Sequence, residues 1–227
     1  MKDVILKNRL QAAASFVRRG SAVADVGTDH AWLPIYLLSR GIASRAVASD
    51  INEGPLCRAR INIPKNLVKK IELRLTDGLA GIEDFGAQDI LICGMGGELI
   101  ARILQDAPFT KDKNIRLILQ PMTKAPYLRE FLLGSGFCII DESLADDDRI
   151  YQVICAEYCG EREEYSPVEL LLGRHNIARG GELFGQFVEQ NVKIFEGIRA
   201  GKASGGADTS YEDGILNELN ALLQVKK

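Results

Sequence analysis

The stretch Ala22-Val23-Ala24-Asp25-Val26-Gly27-Thr28-Asp29-His30, near the start of the chain, is the strongest single indication of the fold class. Residues 22–26 are small or β-branched apart from a single acid, which is typical of a buried strand, and Gly27 ends that strand. Residues 31–38 follow with the composition of a helix, and Pro34 stands in its first turn, where a missing N–H costs little. The order of strand, turn and helix is the unit from which a parallel sheet is built.

The same order recurs along the first 160 residues. Further strands are predicted over 46–50, 71–75, 89–93 and 115–119, and further helices over 3–18, 55–61, 98–104 and 125–133. Segments 137–144 and 150–158 have only Asp146-Asp147-Asp148 and a few neighbours between them, which predicts an antiparallel hairpin. Strands that alternate with helices form a parallel sheet covered on both faces. We therefore predict an α/β fold with a mixed seven-stranded sheet.

The pattern changes after the predicted hairpin, where charged residues and a proline mark a boundary. A coiled-coil-like seam with steps of three and four residues follows, formed by Phe184, Phe187, Asn191, Ile194 and Ile198. A flexible turn is predicted over 200–206, and Thr209 with Glu212 has the spacing of a capping box that would open a second helix. Two helices joined by a short loop usually pack antiparallel. We therefore predict one domain over 1–160 and an α-helical coiled-coil hairpin over 161–227.

Charge gives two opposite indications about partners. The 227 residues are 46% hydrophobic, as in a folded globular protein, and their formal net charge of −3 argues against a nucleic-acid partner. Counted by segment, however, residues 1–75 have a balance of +7, residues 76–159 of −7 and residues 160–227 of −3. Such asymmetry either averages out in the folded protein or leaves a basic face for an anionic partner.

Several other classes of protein are disfavoured by the sequence. No apolar run approaches the ~18 residues that a membrane span requires, and no secretory signal is visible. The only histidines, His30 and His175, argue against a histidine-rich metal site, so no metal is expected. The five cysteines are an odd number without a C-x-x-C motif, which predicts reduced thiols and a cytoplasmic protein. The sequence leaves the oligomeric state open, with a monomer as the default expectation.

Ligands of an open parallel sheet bind at the carboxyl ends of its strands. The residues at these ends that we predict to bind a cofactor are Asp25, Gly27, Asp50, Ile51, Asp77, Gly78, Gly94 and Met95. A dinucleotide is disfavoured, because only Gly27 of a G-x-G-x-x-G motif is present and Asp29 would repel a phosphate.

S-adenosylmethionine fits this pattern better, because its sulfonium and ammonium groups suit carboxylates. Asp50 could accept hydrogen bonds from both ribose hydroxyls, and Asp77 could accept one from the adenine amino group. Each of these acids could instead cap a helix.

Four runs of the chain resemble the bacterial tRNA (adenine-22 N1)-methyltransferase family. They are residues 24–34, Thr76-Asp77-Gly78-Leu79, Gly94-Met95-Gly96-Gly97 and residues 117–121. The resemblance implies a Rossmann-like class I methyltransferase fold and transfer of a methyl group from S-adenosylmethionine to N1 of an adenine in the D-arm of tRNA. The chain departs from the family at Met122, where Asn is expected after Gln-Pro. A contact of that Asn with the target base would be missing here or supplied otherwise.

The predicted chemistry places Asp29 and His30 at the catalytic centre. Methylation at N1 makes adenine cationic, so a carboxylate such as Asp29 would stabilise the developing charge and could take an N6 proton. His30 could stack on the base or bond to it. Alternatively, Asp29 caps the helix after it and His30 is a buried structural residue.

Substrate contacts are predicted at two kinds of residue. Gln120 and Pro121 follow the fifth strand and are predicted to contact the substrate, whereas Arg9 and Arg60 belong to a basic set that could contact tRNA phosphates. Taken singly, each arginine is typical of an ordinary surface charge, and only the cluster is informative. N1 lies on the pairing edge of adenine, so the base must be unpaired or flipped out.

Two other functions fit the sequence less well. The chain could methylate a small molecule or a protein, or it could be a non-catalytic RNA-binding module that keeps the fold. A dinucleotide-dependent oxidoreductase is the least compatible, because it needs three glycines where one is present.

Overall fold

The sheet that carries the site has seven strands in the order β3-β2-β1-β4-β5-β7-β6 in the computed structural model, which describes residues 4–224. The strands are β1 (Ala22–Val26), β2 (Arg45–Asp50), β3 (Ile71–Leu75), β4 (Asp89–Gly96), β5 (Arg116–Thr123), β6 (Phe137–Asp146) and β7 (Ile150–Tyr158). The first five are parallel, and β7 is antiparallel to both β5 and β6. This confirms the predicted α/β fold, its mixed seven-stranded sheet and its terminal hairpin.

The unit to which these strands belong also contains the helices α1 (Asn8–Ser15), α2 (Trp32–Ser39), α3 (Glu53–Asn62), α4 (Gly97–Gln105) and α5 (Ala125–Gly134). Later in the described chain come α6 (Pro167–Leu172), α7 (Arg174–Arg179), α8 (Glu182–Ser204) and α9 (Ser210–Gln224). β1 is buried along its whole length and lies between β2 and β4. The order of the strands reverses direction between β1 and β4, and ligands bind at such a reversal in open sheets.

The first helix is shorter than the 3–18 prediction and begins at Asn8; residues 1–3 lie outside the described residues. Its start is fixed from far along the chain, because the carboxylate of Asp147 accepts hydrogen bonds from the backbone N–H groups of Asn8 and Arg9, at 2.9 and 3.2 Å. A cap supplied by the turn between β6 and β7 cannot be read from the local pattern of residues 3–18.

Strands β4 and β5 extend beyond the residues that were predicted to end them. Gly94 and the Gln120-Pro121 pair lie inside the strands, and Met95 pairs with Pro121 across a shift in register. A bulge is one of the few places where a sheet accepts proline, which lacks the N–H that a regular ladder requires.

The chain forms two compact units, the first ending at Glu164 and the second beginning at Tyr165. In the second unit α8 and α9 pack against each other, and two short helices that the sequence did not predict, α6 and α7, precede them. The predicted turn over 200–206 is wrong at its start, because α8 continues to Ser204. The Ser204 hydroxyl donates to the carbonyl oxygen of Ala200, 2.7 Å away, within that last turn.

The predicted seam on α8 is only partly buried. Phe184, Phe187 and Asn191 are buried, whereas Ile194 and Ile198 are 56% and 44% exposed. The predicted seam is therefore buried only along the first half of α8.

The predicted capping box is replaced by other pairs. The carboxylate of Glu212 accepts from Lys202 Nζ at 2.7 Å, and the Thr209 hydroxyl donates to Asp213 at 2.9 Å. The first of these pairs ties α9 to the end of α8.

A disulfide joins Cys138, in β6, to Cys159, directly after β7. The prediction that all five thiols are reduced is therefore wrong for this pair. The two cysteines are 21 positions apart in sequence, but the antiparallel pairing of β6 with β7 brings their Cα atoms to 5.8 Å. That distance is typical of disulfides.

Candidate functional site

The site begins with a buried carboxyl in β1. Asp25 is 6% exposed, and its Oδ2 accepts a hydrogen bond of 2.5 Å from the Thr28 hydroxyl. Burial raises the pKa of the Asp25 carboxyl from 3.8 to about 6; the bond from Thr28 lowers it and the negative charge of Asp50 raises it. A buried carboxyl under like-charge repulsion is suited to a positively charged ligand group.

Gly27 allows the backbone to turn directly after β1. Its φ of +71° is in the left-handed region, and a Cβ atom built there would lie 2.1 Å from Cε of Met95 in β4. The Met95 side chain therefore occupies the space that any side chain at position 27 would need.

The next residues adopt an unusual backbone. His30 and Ala31 both have positive φ, at 65° and 57°, which costs non-glycine residues roughly 1–2 kcal/mol each. The carbonyl oxygen of His30 accepts a hydrogen bond of 3.2 Å from Asn62 Nδ2, which ties this segment to α3. Such strain persists where the surrounding structure fixes it, and it is common at functional sites.

Asp29 projects into solvent. Its side chain is 79% exposed, and its Oδ1 lies 2.9 Å from Nε2 of His30. The N-cap of α2 is Ala31, and no side chain among the described residues caps this helix. The alternative in which Asp29 serves as that cap is therefore wrong. His30 is half-buried, and its ring is nearly parallel to that of Trp32.

The buried side-chain amide of Gln120 holds Arg9, the residue of α1 that was predicted to contact tRNA. Gln120 is fully buried, and its Oε1 accepts from Arg9 Nη1 at 3.1 Å and from the backbone N–H of Gly94 at 3.2 Å. Pro121 is also buried. Both side chains are buried in this structure, and their contact with the substrate stays a prediction. Gln120 fixes the guanidinium of Arg9 beside β4.

These residues surround a cavity of about 670 Å³ at the carboxyl ends of β1 and β4. Of the predicted site residues, the structure brings together Arg9, Asp25, Gly27, Asp29, His30 and Gly94 in its lining. Carboxylates, a cation and an imidazole thus share one opening, which is large enough for a small-molecule ligand.

The other predicted site residues lie outside that lining. Asp50 accepts a 2.8 Å hydrogen bond from the backbone N–H of Asn52, and Ile51 after it is 61% exposed. Asp77 and Gly78 line a separate depression of about 390 Å³ beside α4. Arg60 is exposed in the last turn of α3. None of these residues lines the main cavity.

Sequence reasoning missed other lining residues. Trp32 and Lys7 line the same cavity, together with Cys93, whose thiol pKa burial raises. Trp32 stands within the motif run of residues 24–34 and is the only tryptophan of the chain, a signal that could have identified it. Lys7 could not be distinguished from other lysines, because its place depends on where α1 begins.

The residues fit the chemistry of S-adenosylmethionine rather than that of a phosphate ligand. Asp25 offers a buried carboxylate for a cationic group, and Asp50 offers a half-buried one at the end of the adjacent strand. Within residues 4–224, no group of three or more His, Cys, Asp or Glu side chains could hold a metal ion. No helix of the same residues is both long and apolar enough to cross a membrane.

Comparisons with known proteins point to one family. A family profile described as a methyltransferase domain matches residues 6–154. The tRNA (adenine(22)-N(1))-methyltransferase of Bacillus subtilis is 38% identical over 238 residues, which cover 100% of this chain and 98% of the relative.

Solved structures agree over nearly the full length. The crystal structure of the Bacillus subtilis m1A22 tRNA methyltransferase has a TM-score of 0.81 and 33% identity, covering 97% of each chain. A Streptococcus pneumoniae protein crystallised with S-adenosyl-L-methionine has a TM-score of 0.85 and 31% identity, covering 96% of this chain and 100% of that one.

Proposed function

The chain belongs to the tRNA (adenine-22 N1)-methyltransferase family, and we propose that it transfers a methyl group from S-adenosylmethionine to N1 of adenine 22 in the D-arm of tRNA. The observation that carries the assignment of the site is the cavity that joins the buried Asp25 to the exposed Asp29 at the strand reversal.

The methyl donor would place its cationic end in the buried part of this cavity and extend from there along the carboxyl ends of β2 and β3. S-adenosylmethionine supplies an electrophilic methyl group on a sulfonium centre. Asp25 would hold a cationic group of the donor, and Asp50 would accept hydrogen bonds from its ribose hydroxyls. Asp77 and Gly78 would lie at the adenine end, two strands from β1. Gly27 and Gly94 would let the backbone approach the donor closely.

The exposed end of the cavity would receive the base. N1 of adenine has a free lone pair at neutral pH, so its attack needs no strong general base, and alignment would supply most of the rate. Asp29 would stabilise the positive charge that develops on the ring, and could take an N6 proton. His30, 2.9 Å from Asp29, would orient that carboxylate.

Cations near the opening would bind the tRNA backbone. Lys7 and Arg9 line the cavity, and Arg60 is exposed on α3. Phosphate contacts of this kind fix the register of the RNA. We propose that residues 1–160 carry the reaction and that residues 161–227 form a separate helical domain. Because tRNA is the substrate, we expect the enzyme to act in the cytoplasm.

The test is mass spectrometry of nucleosides after incubating an unmodified tRNA transcript with methyl-labelled S-adenosylmethionine and the full-length protein. We expect labelled 1-methyladenosine at position 22, and none in a matched transcript with guanine at that position. Label on another nucleotide would overturn the assigned position, and absence of label in RNA would overturn the proposed substrate.

A further inference from the structure

We propose that Trp32 and His30 form a stacking platform for an unpaired purine of the RNA substrate, at the mouth of the cavity. The proposal rests on the proposed function and deepens it, because it names the surface that would receive the base. The proposed function assigns no role to Trp32.

The two rings stack on each other and are nearly parallel. Their centroids are 6.3 Å apart and their planes differ by 12°. Trp32 is 40% exposed and lines the cavity beside Asp29. Nearly parallel rings at this separation are within the range of aromatic pairs, and a flat ring can stack on such a surface.

The backbone fixes the position of both rings. His30 and Ala31 have left-handed backbone angles, and α2 begins at Trp32 directly after them. The Asn62 side chain donates a hydrogen bond to the carbonyl oxygen of His30, and the Asp29 carboxylate contacts the imidazole of His30. A platform held in this way loses little conformational freedom when a ligand binds, which favours affinity.

The surroundings favour a nucleotide as the occupant. Lys7 and Arg9 line the same opening and could contact phosphates, while Ile5 on the rim is 89% exposed and offers apolar contact. Cations that hold the backbone and aromatic rings that stack on bases are the usual combination in single-stranded RNA recognition. Because N1 is on the pairing edge, the target adenine must leave its stack, and a platform beside Asp29 would receive it.

Fluorescence tests this directly, because Trp32 is the only tryptophan in the chain. The probes are an RNA hairpin that contains the D-arm with adenine 22, the same hairpin with an abasic site at that position, and S-adenosylhomocysteine alone. We expect the adenine hairpin to quench the emission of Trp32 substantially more than either other probe. Equal quenching by both bound hairpins, or full quenching by S-adenosylhomocysteine alone, would overturn the proposal.

Substitutions supply an independent readout. Trp32→Phe keeps a flat ring and should change KM for the RNA by less than about threefold. Trp32→Leu keeps apolar bulk without the ring and should raise that KM about tenfold, with KM for S-adenosylmethionine unchanged. Val68→Ala is the control, because Val68 is 57% exposed and precedes β3, at the amino ends of the strands. Thermal unfolding checks that each variant is folded.

The outcomes separate this proposal from the proposed function. If Trp32→Leu methylates adenine 22 normally and its KM for the RNA is unchanged, the stacking proposal is wrong and the proposed activity still holds. If the wild-type protein shows adenine-dependent quenching but never methylates RNA, the proposed activity is wrong and the platform is a binding site only.

Discussion

Arg9 Nη1 lies 3.1 Å from Oε1 of Gln120, and this bond connects α1 with the centre of the sheet. The same oxygen accepts from the backbone N–H of Gly94, so one buried amide fixes both a cavity cation and the end of β4. The Asp147 carboxylate accepts from the backbone N–H of Arg9 at 3.2 Å and lies 3.8 Å from Nε of its guanidinium. The position of the guanidinium thus depends on three separate parts of the chain.

Replacing Gln120 with methionine should release Arg9. Loss of the acceptor leaves the Gly94 N–H without this partner, which should lower the free energy of unfolding by about 1–3 kcal/mol. KM for tRNA should rise severalfold, because the guanidinium no longer has a fixed position. Steady-state kinetics and denaturant unfolding measure both effects.

A double-mutant cycle is the control for this pair. If Gln120 acts on tRNA through Arg9, Arg9→Ala and Gln120→Met should have a smaller combined effect on KM than the sum of their separate effects. Strict additivity would mean that the bond carries no functional coupling.

The raised pKa of Asp25 should give the ligand-free protein a distinct pH dependence. Between pH 3.8 and about 6 the folded protein holds a proton on Asp25 that the unfolded chain has released. Stability should therefore fall as pH rises through that window, by on the order of 3 kcal/mol from this group. Asp25→Asn should remove this contribution and raise the unfolding temperature at pH 7.5.

Ligand binding should show the opposite trend. A cationic ligand group favours the ionised carboxyl, so the affinity for S-adenosylmethionine should increase from pH 5 to pH 7. Asp25→Asn should bind more weakly and lose this dependence, as calorimetric titration at several pH values would show. A stabilised Asp25→Asn protein with undiminished affinity would contradict the assignment of Asp25 to the donor.

Asp29 is expected to affect the chemical step and not donor binding. Asp29→Asn preserves the shape of the side chain but removes the charge that would stabilise the cationic product, so kcat should fall about tenfold or more. The Kd for S-adenosylmethionine should change little, because the side chain is 79% exposed at the outer end of the cavity. Single-turnover rates with saturating tRNA measure the step.

The matched control is Asp84→Asn, an exposed carboxyl outside the cavity, and it should leave the rate unchanged. Equal rates for wild type and Asp29→Asn would remove Asp29 from catalysis.

The sequence predicted those features that depend on neighbouring residues. β1 and the turn at Gly27 are local, and a run of small buried residues followed by glycine allows few other structures. The gathering of Asp25, Gly27 and Gly94 was also predictable, since the carboxyl ends of parallel strands share one edge.

The features that the sequence did not predict depend on distant contacts. The bond from Arg9 to Gln120 is one of them, because β5 continues past Gln120 and buries it against α1, 111 residues away in sequence. The start of α1 depends on Asp147, 139 residues beyond Asn8. The left-handed backbone at Ala31 has no local signal, because alanine normally avoids that region.

Gly27 should be sensitive to substitution for two separable reasons. Its φ is +71°, and an added Cβ would lie 2.1 Å from Met95 Cε; Gly41 has a φ of +64° with nothing within 4 Å of an added Cβ. Gly27→Ala and Gly41→Ala should therefore both lose about 1–2 kcal/mol of stability from backbone strain. Only Gly27→Ala should also displace Met95 at the cavity edge and weaken S-adenosylmethionine binding.

Gly27→Ala with Met95→Ala should recover affinity while the loss of stability persists, as denaturant unfolding and calorimetry would measure. Wild-type affinity in Gly27→Ala would show that the close approach at this turn does not serve the donor site.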